Sequence, residues 1–266
     1  MKPCLRNWKT NLVVLCALAA IPAAAQSRLP RTPDGKPNLN GIWQVMNTAN
    51  WDLQGHEARA GVVAALGAIA AEPGGQGVVE GGVIPYLPAA EAQKKKNFDN
   101  RLALDPEVRC YLPGVPRATY MPYPFQIFQT ANNIAIAYEY NGAYRDIFLK
   151  DPGPAPIDSW MGKSVGRWEK DTLVVTVTDM NEHSWFDRAG DFHSAGLKVT
   201  ERYTLVSPDV INYEATIEDA MVFSRPWKIS MPIYRHLEKN ARLVEFKCVE
   251  FVEELLYGPY RKKASN

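Results

Sequence analysis

Excess charge of one sign, cysteine and histidine are all scarce in this 266-residue chain, and each shortage narrows the possible functions. Lysine and arginine number 30 against 29 aspartates and glutamates, a formal net charge of +1. So close a balance leaves no electrostatic footprint for nucleic acid or for an anionic membrane. The one basic run, Lys94-Lys95-Lys96, is offset by Glu91, Asp99 and Asp105 and reads as a solvated helix face. The sequence also lacks a glycine-rich phosphate loop, a kinase signature set, a CxxC pair and a dinucleotide fingerprint. No organic cofactor is therefore expected. The remaining partner classes are small molecules and proteins.

Long apolar runs are equally few. LVVLCALAAI follows a basic stretch with Lys2, Arg6 and Lys9 and precedes Ala23-Ala24-Ala25. That order matches a secretory signal peptide over residues 1–25, cleaved before Gln26. The run is too short to span a membrane comfortably, and no second one follows. Cys16 follows Leu15, where a lipoprotein signal needs a small residue. The expectation is a periplasmic or secreted chain with a net charge of about −2 after the three leader cations are lost. Cys110 and Cys248 then remain, and an even pair in an oxidising compartment points to a disulfide. Closing so long a loop would stabilise by about 4–5 kcal/mol in the chain-entropy model. The alternative is two separate buried thiols.

Patterning beyond residue 26 is that of one domain over 26–266. GIWQV (41–45) reads as a first strand. An insertion at about 51–112 holds two helical stretches, 56–72 and 89–103, around a glycine-rich loop at 73–82. It is either a lid over an opening or a surface decoration. From residue 124 short runs rich in β-branched and aromatic residues alternate with turn signals: 124–130, 133–140, 144–150, a hairpin through Glu169-Lys170-Asp171, then 198–207, 208–219, 224–234 and 241–251. Helix–strand alternation is missing, which argues against a parallel sheet. These features predict an all-β protein with a small helical insertion, an antiparallel barrel of about 8–10 strands.

The Gly41-Ile42-Trp43 opening is similar to the Gly-x-Trp of lipocalin and wider calycin barrels. Four blocks also resemble a family of exported bacterial β-rich proteins: RTPDGKPNLNGIWQ, LDPEVRCYLPGVPRATYMPYPFQI, SWMGKSVGRWEKDTLVVTVTDMNEHSWFDRAGDFHSAGLKVTER and TIEDAMVFSRPWK. The resemblance implies export and a lipocalin-like barrel, and brings no established activity with it. Lys170 stands where that family more often has glycine.

Two constellations carry candidate chemistry. The first lies in Met180–Arg202, which holds two of the four histidines. If 181–187 is extended, Asn181, His183, Trp185 and Asp187 share one face. His193 would then act as general base, oriented by Asp187 or Glu201, with His183 and Arg188 beside it. The plainer reading is a hydrogen-bonded loop. A metal held by His183, Asp187 and His193 fits no strong spacing motif, and Ser194 lacks a nucleophile elbow. No metal is expected.

The second constellation contains Arg117, Tyr120, Tyr123, Gln126, Tyr138, Glu139, Tyr140 and Arg145, lining a pocket or girdling the barrel. Glu139 and Arg145 would pair across the Asn141-Gly142 turn. Together these groups predict a cofactor-independent isomerase, hydratase or lyase acting on a hydrophobic or aromatic substrate. The alternative is a carrier of such a molecule.

Overall fold

A computed structural model describes residues 29–61 and 71–260. The expected leader and residues 62–70, most of the first expected helix, lie outside the described residues. Among the described residues nine strands follow in order: β1 (Gly41–Val45), β2 (Phe125–Gln129), β3 (Asn133–Tyr138), β4 (Tyr144–Phe148), β5 (Lys163–Glu169), β6 (Thr172–Thr178), β7 (Lys198–Ser207), β8 (Val210–Glu218) and β9 (Trp227–Arg235). They close into one barrel in sequence order, with β1 bonded to both β2 and β9. The expected all-β barrel is present.

Only the β4–β5 pair runs parallel. An odd number of strands cannot alternate direction all the way round a closed ring. One like-directed pair is required, and the proline-rich 149–162 connection supplies it by returning along the barrel.

Strict alternation explains the wall. On β7, Val199, Glu201, Tyr203 and Leu205 point inward; on β8, Ile211, Tyr213, Ala215 and Ile217 do so. Trp227, Ile229, Met231 and Ile233 continue the pattern on β9. The strand expected at 241–251 does not form. Both edges of β9 are already taken, by β8 and β1, so a tenth strand has no ladder to join. The segment instead runs irregularly outside, with Val244 N donating to Glu139 Oε2 at 2.9 Å and Phe251 N to Val108 O at 2.7 Å.

Register places the loops that matter at one barrel end. Trp43 pairs with Phe125, Phe125 with Tyr138, Ala137 with Tyr144, and Ile217 with Trp227. The excursion from 46 to 124 and the 139–143, 179–197 and 219–226 connections therefore all gather there.

Within the excursion, α1 (Pro88–Asp99) and α2 (Arg101–Leu104) match the second expected helix, with proline at the first turn of α1. The first expected helix is corrected where it can be seen. His56 bridges Gly75 and Arg59 bridges Glu72, so the chain is extended there. The glycine-rich stretch is likewise ordered by pairing, since Val79 bridges Ile229 of β9. A third short helix, α3 (Arg117–Tyr120), is wholly buried beneath these loops. Among the described residues, no helix is long and apolar enough to cross a membrane.

Candidate ligand cleft and the buried loop behind it

The 181–187 segment is not extended. It turns at Glu182–His183, bridges Trp185 to Phe192, and turns again at Arg188–Ala189. His183 and Asn181 consequently face outward while Asp187 is fully buried. The bend has a local cause. Asp187 accepts the Leu53 amide at 2.9 Å and the Asp191 amide at 3.1 Å, curling the loop around its own carboxylate. Gly190, at φ 85°, completes it: an added Cβ would lie 2.7 Å from Asn97 Cβ of α1. The insertion and the loop therefore interlock, with Asn97 Nδ2 donating to Gly190 O at 3.1 Å.

His193 is 3 % exposed, and its partners are not those expected. Its Nδ1 lies 2.9 Å from the Ser194 carbonyl oxygen and its Nε2 2.8 Å from Ser184 Oγ. A carbonyl can only accept, so Nδ1 carries the proton and the Ser184 hydroxyl donates to Nε2. Burial pushes the imidazole pKa down, which favours this neutral form. Neither Asp187 nor Glu201 bonds to it, so neither orients it. Ser194 pairs instead with Asp219, at 2.7 Å through its amide and 2.9 Å through its hydroxyl.

Glu201 points into the barrel and pairs with Arg145, which also donates to Ser164 Oγ at 2.7 Å. Tyr203 and Tyr213 hydroxyls donate to Glu201 at 2.9 and 2.8 Å. The expected Glu139–Arg145 pair is thus replaced. Alternation turns Arg145 inward, while Glu139 stays outside and accepts from Val244.

Two tyrosines of the second constellation are also set apart from the others. Tyr120 is buried and donates to Phe186 O at 2.7 Å, and Tyr138 packs on Phe125 inside the wall. Tyr123 and Tyr140 stay together, 5.6 Å between ring centroids, and both contact Phe246 at 4.8 and 5.0 Å. Gln126 occupies the outward face of β2.

These two rings form one wall of a cleft of about 210 Å³. Its other walls are Phe246 and Phe251 of the C-terminal segment, with Glu107 and Arg188 at its polar side. Cys110 and Cys248 are joined by a disulfide that tethers this segment, and Cys248 itself lines the cleft.

The polar side is a buried charge network. Arg188 holds Glu107 through Nε and Nη2, both at 2.8 Å, and its guanidinium lies 4.4 Å from the Trp51 ring. Arg117 reaches Glu107 at 2.7 Å, Asp105 at 2.9 and 3.1 Å, and Asn50 at 2.8 Å. Burial alone would raise the Glu107 pKa, but the Arg188 and Arg117 guanidinium groups outweigh it and hold the carboxyl at about 2.

Asp105, Glu107 and Asn50 escaped the sequence reading. The one available signal was Arg117 among the tyrosines of the second constellation, which the structure buries against these anionic partners. Comparison with known protein families and with curated proteins yields no match.

Proposed function

We propose that this chain is an exported binding protein for a small hydrophobic or aromatic molecule, held in the cleft between Tyr123, Tyr140 and the C-terminal segment. The observation that carries the reading is the convergence of four aromatic rings on one cleft beside a neutralised Glu107–Arg188 pair. Aromatic walls with a few placed polar groups are the usual make-up of such sites. The volume sets the ligand size. A cavity of about 150 Å³ accepts benzene, whereas sites for drug-sized ligands begin near about 300 Å³. At about 210 Å³ the cleft suits a single-ring compound.

Export is supported by the leader-like residues 1–25 and by the Cys110–Cys248 disulfide, which persists in oxidising compartments. A lipocalin-like relationship is proposed only in part. Lipocalin barrels have eight strands, whereas this one has nine and a parallel pair.

Titrating the disulfide-bonded protein with 1-naphthol and with 4-hydroxybenzoate tests the reading, native mass spectrometry giving the stoichiometry. One-to-one saturable binding of the single-ring acid is expected, with Tyr140→Ala and Phe246→Ala each weakening it at least about tenfold, or about 1.4 kcal/mol. No saturable binding of either compound, or binding untouched by both substitutions, rejects it.

The cofactor-independent isomerase, hydratase or lyase reading is favoured by one observation. Exposed His183 shares a second cleft, about 320 Å³, with Arg109, Tyr111 and Trp160. Turnover of an aromatic substrate that is abolished by His183→Ala would favour it over simple binding. Turnover unaffected by that change would remove His183 from the chemistry.

A further inference from the structure

We propose that Asp52, Asp187 and Asp191 hold one hard divalent cation, Ca²⁺ foremost, behind the 187–191 loop. The inference is independent of the cleft.

All three side chains are buried, and one ligand oxygen from each lies within 4.8 Å of the others. That span is no wider than a Ca²⁺ coordination sphere with oxygen ligands at about 2.3–2.6 Å. A donor set made only of carboxylates selects calcium, magnesium or manganese over zinc or copper.

Acidic clusters can be held by protons or by salt links, so the partners of each oxygen matter. Asp187 is positioned by the Leu53 and Asp191 amides, and Asp52 Oδ1 by the Gln54 amide at 2.8 Å. Asp191 Oδ1 accepts from Tyr86 Oη at 2.8 Å and lies 3.8 Å from Lys94 Nζ. Its other oxygen, Oδ2, is fully buried and accepts no hydrogen bond from an N–H or hydroxyl among the described residues. A carboxylate oxygen left bare in a dry site is costly, and a cation is the partner that would satisfy it.

Charge accounting agrees. Three carboxylates against the Lys94 ammonium leave two negative charges, which one divalent ion balances. The neighbouring guanidinium groups are engaged elsewhere: Arg117 bonds Asp105 and Glu107, and Arg188 bonds Glu107. Burial first, then the Asp191 charge and a hydrogen bond to the Asp191 carboxylate, drives the Asp187 pKa up, and burial followed by the Asp191 charge raises that of Asp52. Bound Ca²⁺ would relieve both.

The test uses the full disulfide-bonded protein, stripped with EDTA and dialysed. Calcium chloride, magnesium chloride and manganese chloride are each titrated by calorimetry, and thermal midpoints are recorded in parallel. Saturable one-to-one Ca²⁺ binding with a raised midpoint is expected. Asp191→Asn should weaken it at least about tenfold, while surface Asp99→Asn leaves it intact. Should Asp191→Asn fail to fold, Tb³⁺ luminescence sensitised by Tyr86 reads the unaltered chain, and Ca²⁺ should displace the signal. The proposal is overturned if the unaltered protein binds none of the three metals at several times the about 1 mM expected of a weak extracellular calcium site. It is equally overturned if Asp191→Asn keeps full affinity, or if Ca²⁺ leaves the Tb³⁺ signal in place. A higher midpoint for Asp191→Asn, with no metal response in the parent, would mean the carboxylates share protons instead.

Discussion

Arg145 of β4 and Glu201 of β7 form an ion pair enclosed by the barrel wall, and the carboxylate also accepts the hydroxyls of Tyr203 and Tyr213. The pair reaches across the barrel interior, because β4 and β7 are separated by β5 and β6 in the sheet. Its effect on stability depends on both partners being present. Removing one leaves the other as an uncompensated buried charge, at a cost of about 3–5 kcal/mol, whereas a well-packed apolar replacement of both can be nearly neutral. Glu201→Leu is expected to lose that amount in urea unfolding, and Arg145→Met with Glu201→Leu to recover part of it. A double-variant loss equal to the sum of the Glu201→Leu and Arg145→Met losses would show that the pair is not coupled.

Acid stability should report Glu107. Its folded pKa of about 2 lies below its ordinary value of 4.5, so the unfolded chain takes up the proton first. The contribution is therefore fully present above pH 4.5 and is lost as pH falls towards 2. A shift of that size corresponds to on the order of 2–4 kcal/mol. Glu107→Gln should lower stability at pH 7 and flatten the unfolding free energy between pH 4.5 and 2. An unchanged acid slope in that variant would assign the acid sensitivity to other carboxylates.

Lys170 occupies a left-handed turn, φ 54°, between the paired residues Glu169 and Thr172. A side chain there costs about 1–2 kcal/mol, while glycine gives back about 0.5–1 kcal/mol in unfolded-state entropy. Lys170→Gly is expected to stabilise by about 0.5–1 kcal/mol, and Lys170→Ala to give no such gain. Calorimetric midpoints decide between them, and a lower midpoint for the glycine variant contradicts the strain argument.

The disulfide spans a sequence separation of 138 and ties an irregular segment to the barrel. Cys110→Ala with Cys248→Ala should reduce unfolding stability by about 2–4 kcal/mol. Because Cys248 lines the cleft, the same variant should also lose affinity for the single-ring probe. Retained affinity would mean that Phe246 and Phe251 hold their places without the bridge.

The strands were legible because their signal is local. Alternating residues such as Val199, Glu201, Tyr203 and Leu205 specify a two-faced strand wherever it docks, and β7 runs over the expected residues. The 241–251 stretch shows the limit of that logic. It has strand-forming residues, yet pairing depends on a free edge, and β1 had taken it. The 181–187 segment failed for a related reason. Its alternation assumed an extended chain, but amides from Leu53 and Asp191 bend it around Asp187.

By itself, the sequence pointed to a barrel of short strands and offered a disulfide between Cys110 and Cys248 as one of two readings of those cysteines. Each of these rests on residues adjacent in the chain or on a count. Only the tertiary structure decided which side chains meet. Glu107 with Arg188, Arg145 with Glu201 and Asp52 with Asp191 are separated by tens of residues, and no spacing rule joins them. Barrel closure faces Arg145 of β4 with Glu201 of β7 across the interior, and the long excursion and the β6–β7 loop leave from the same end, where the other buried charges meet.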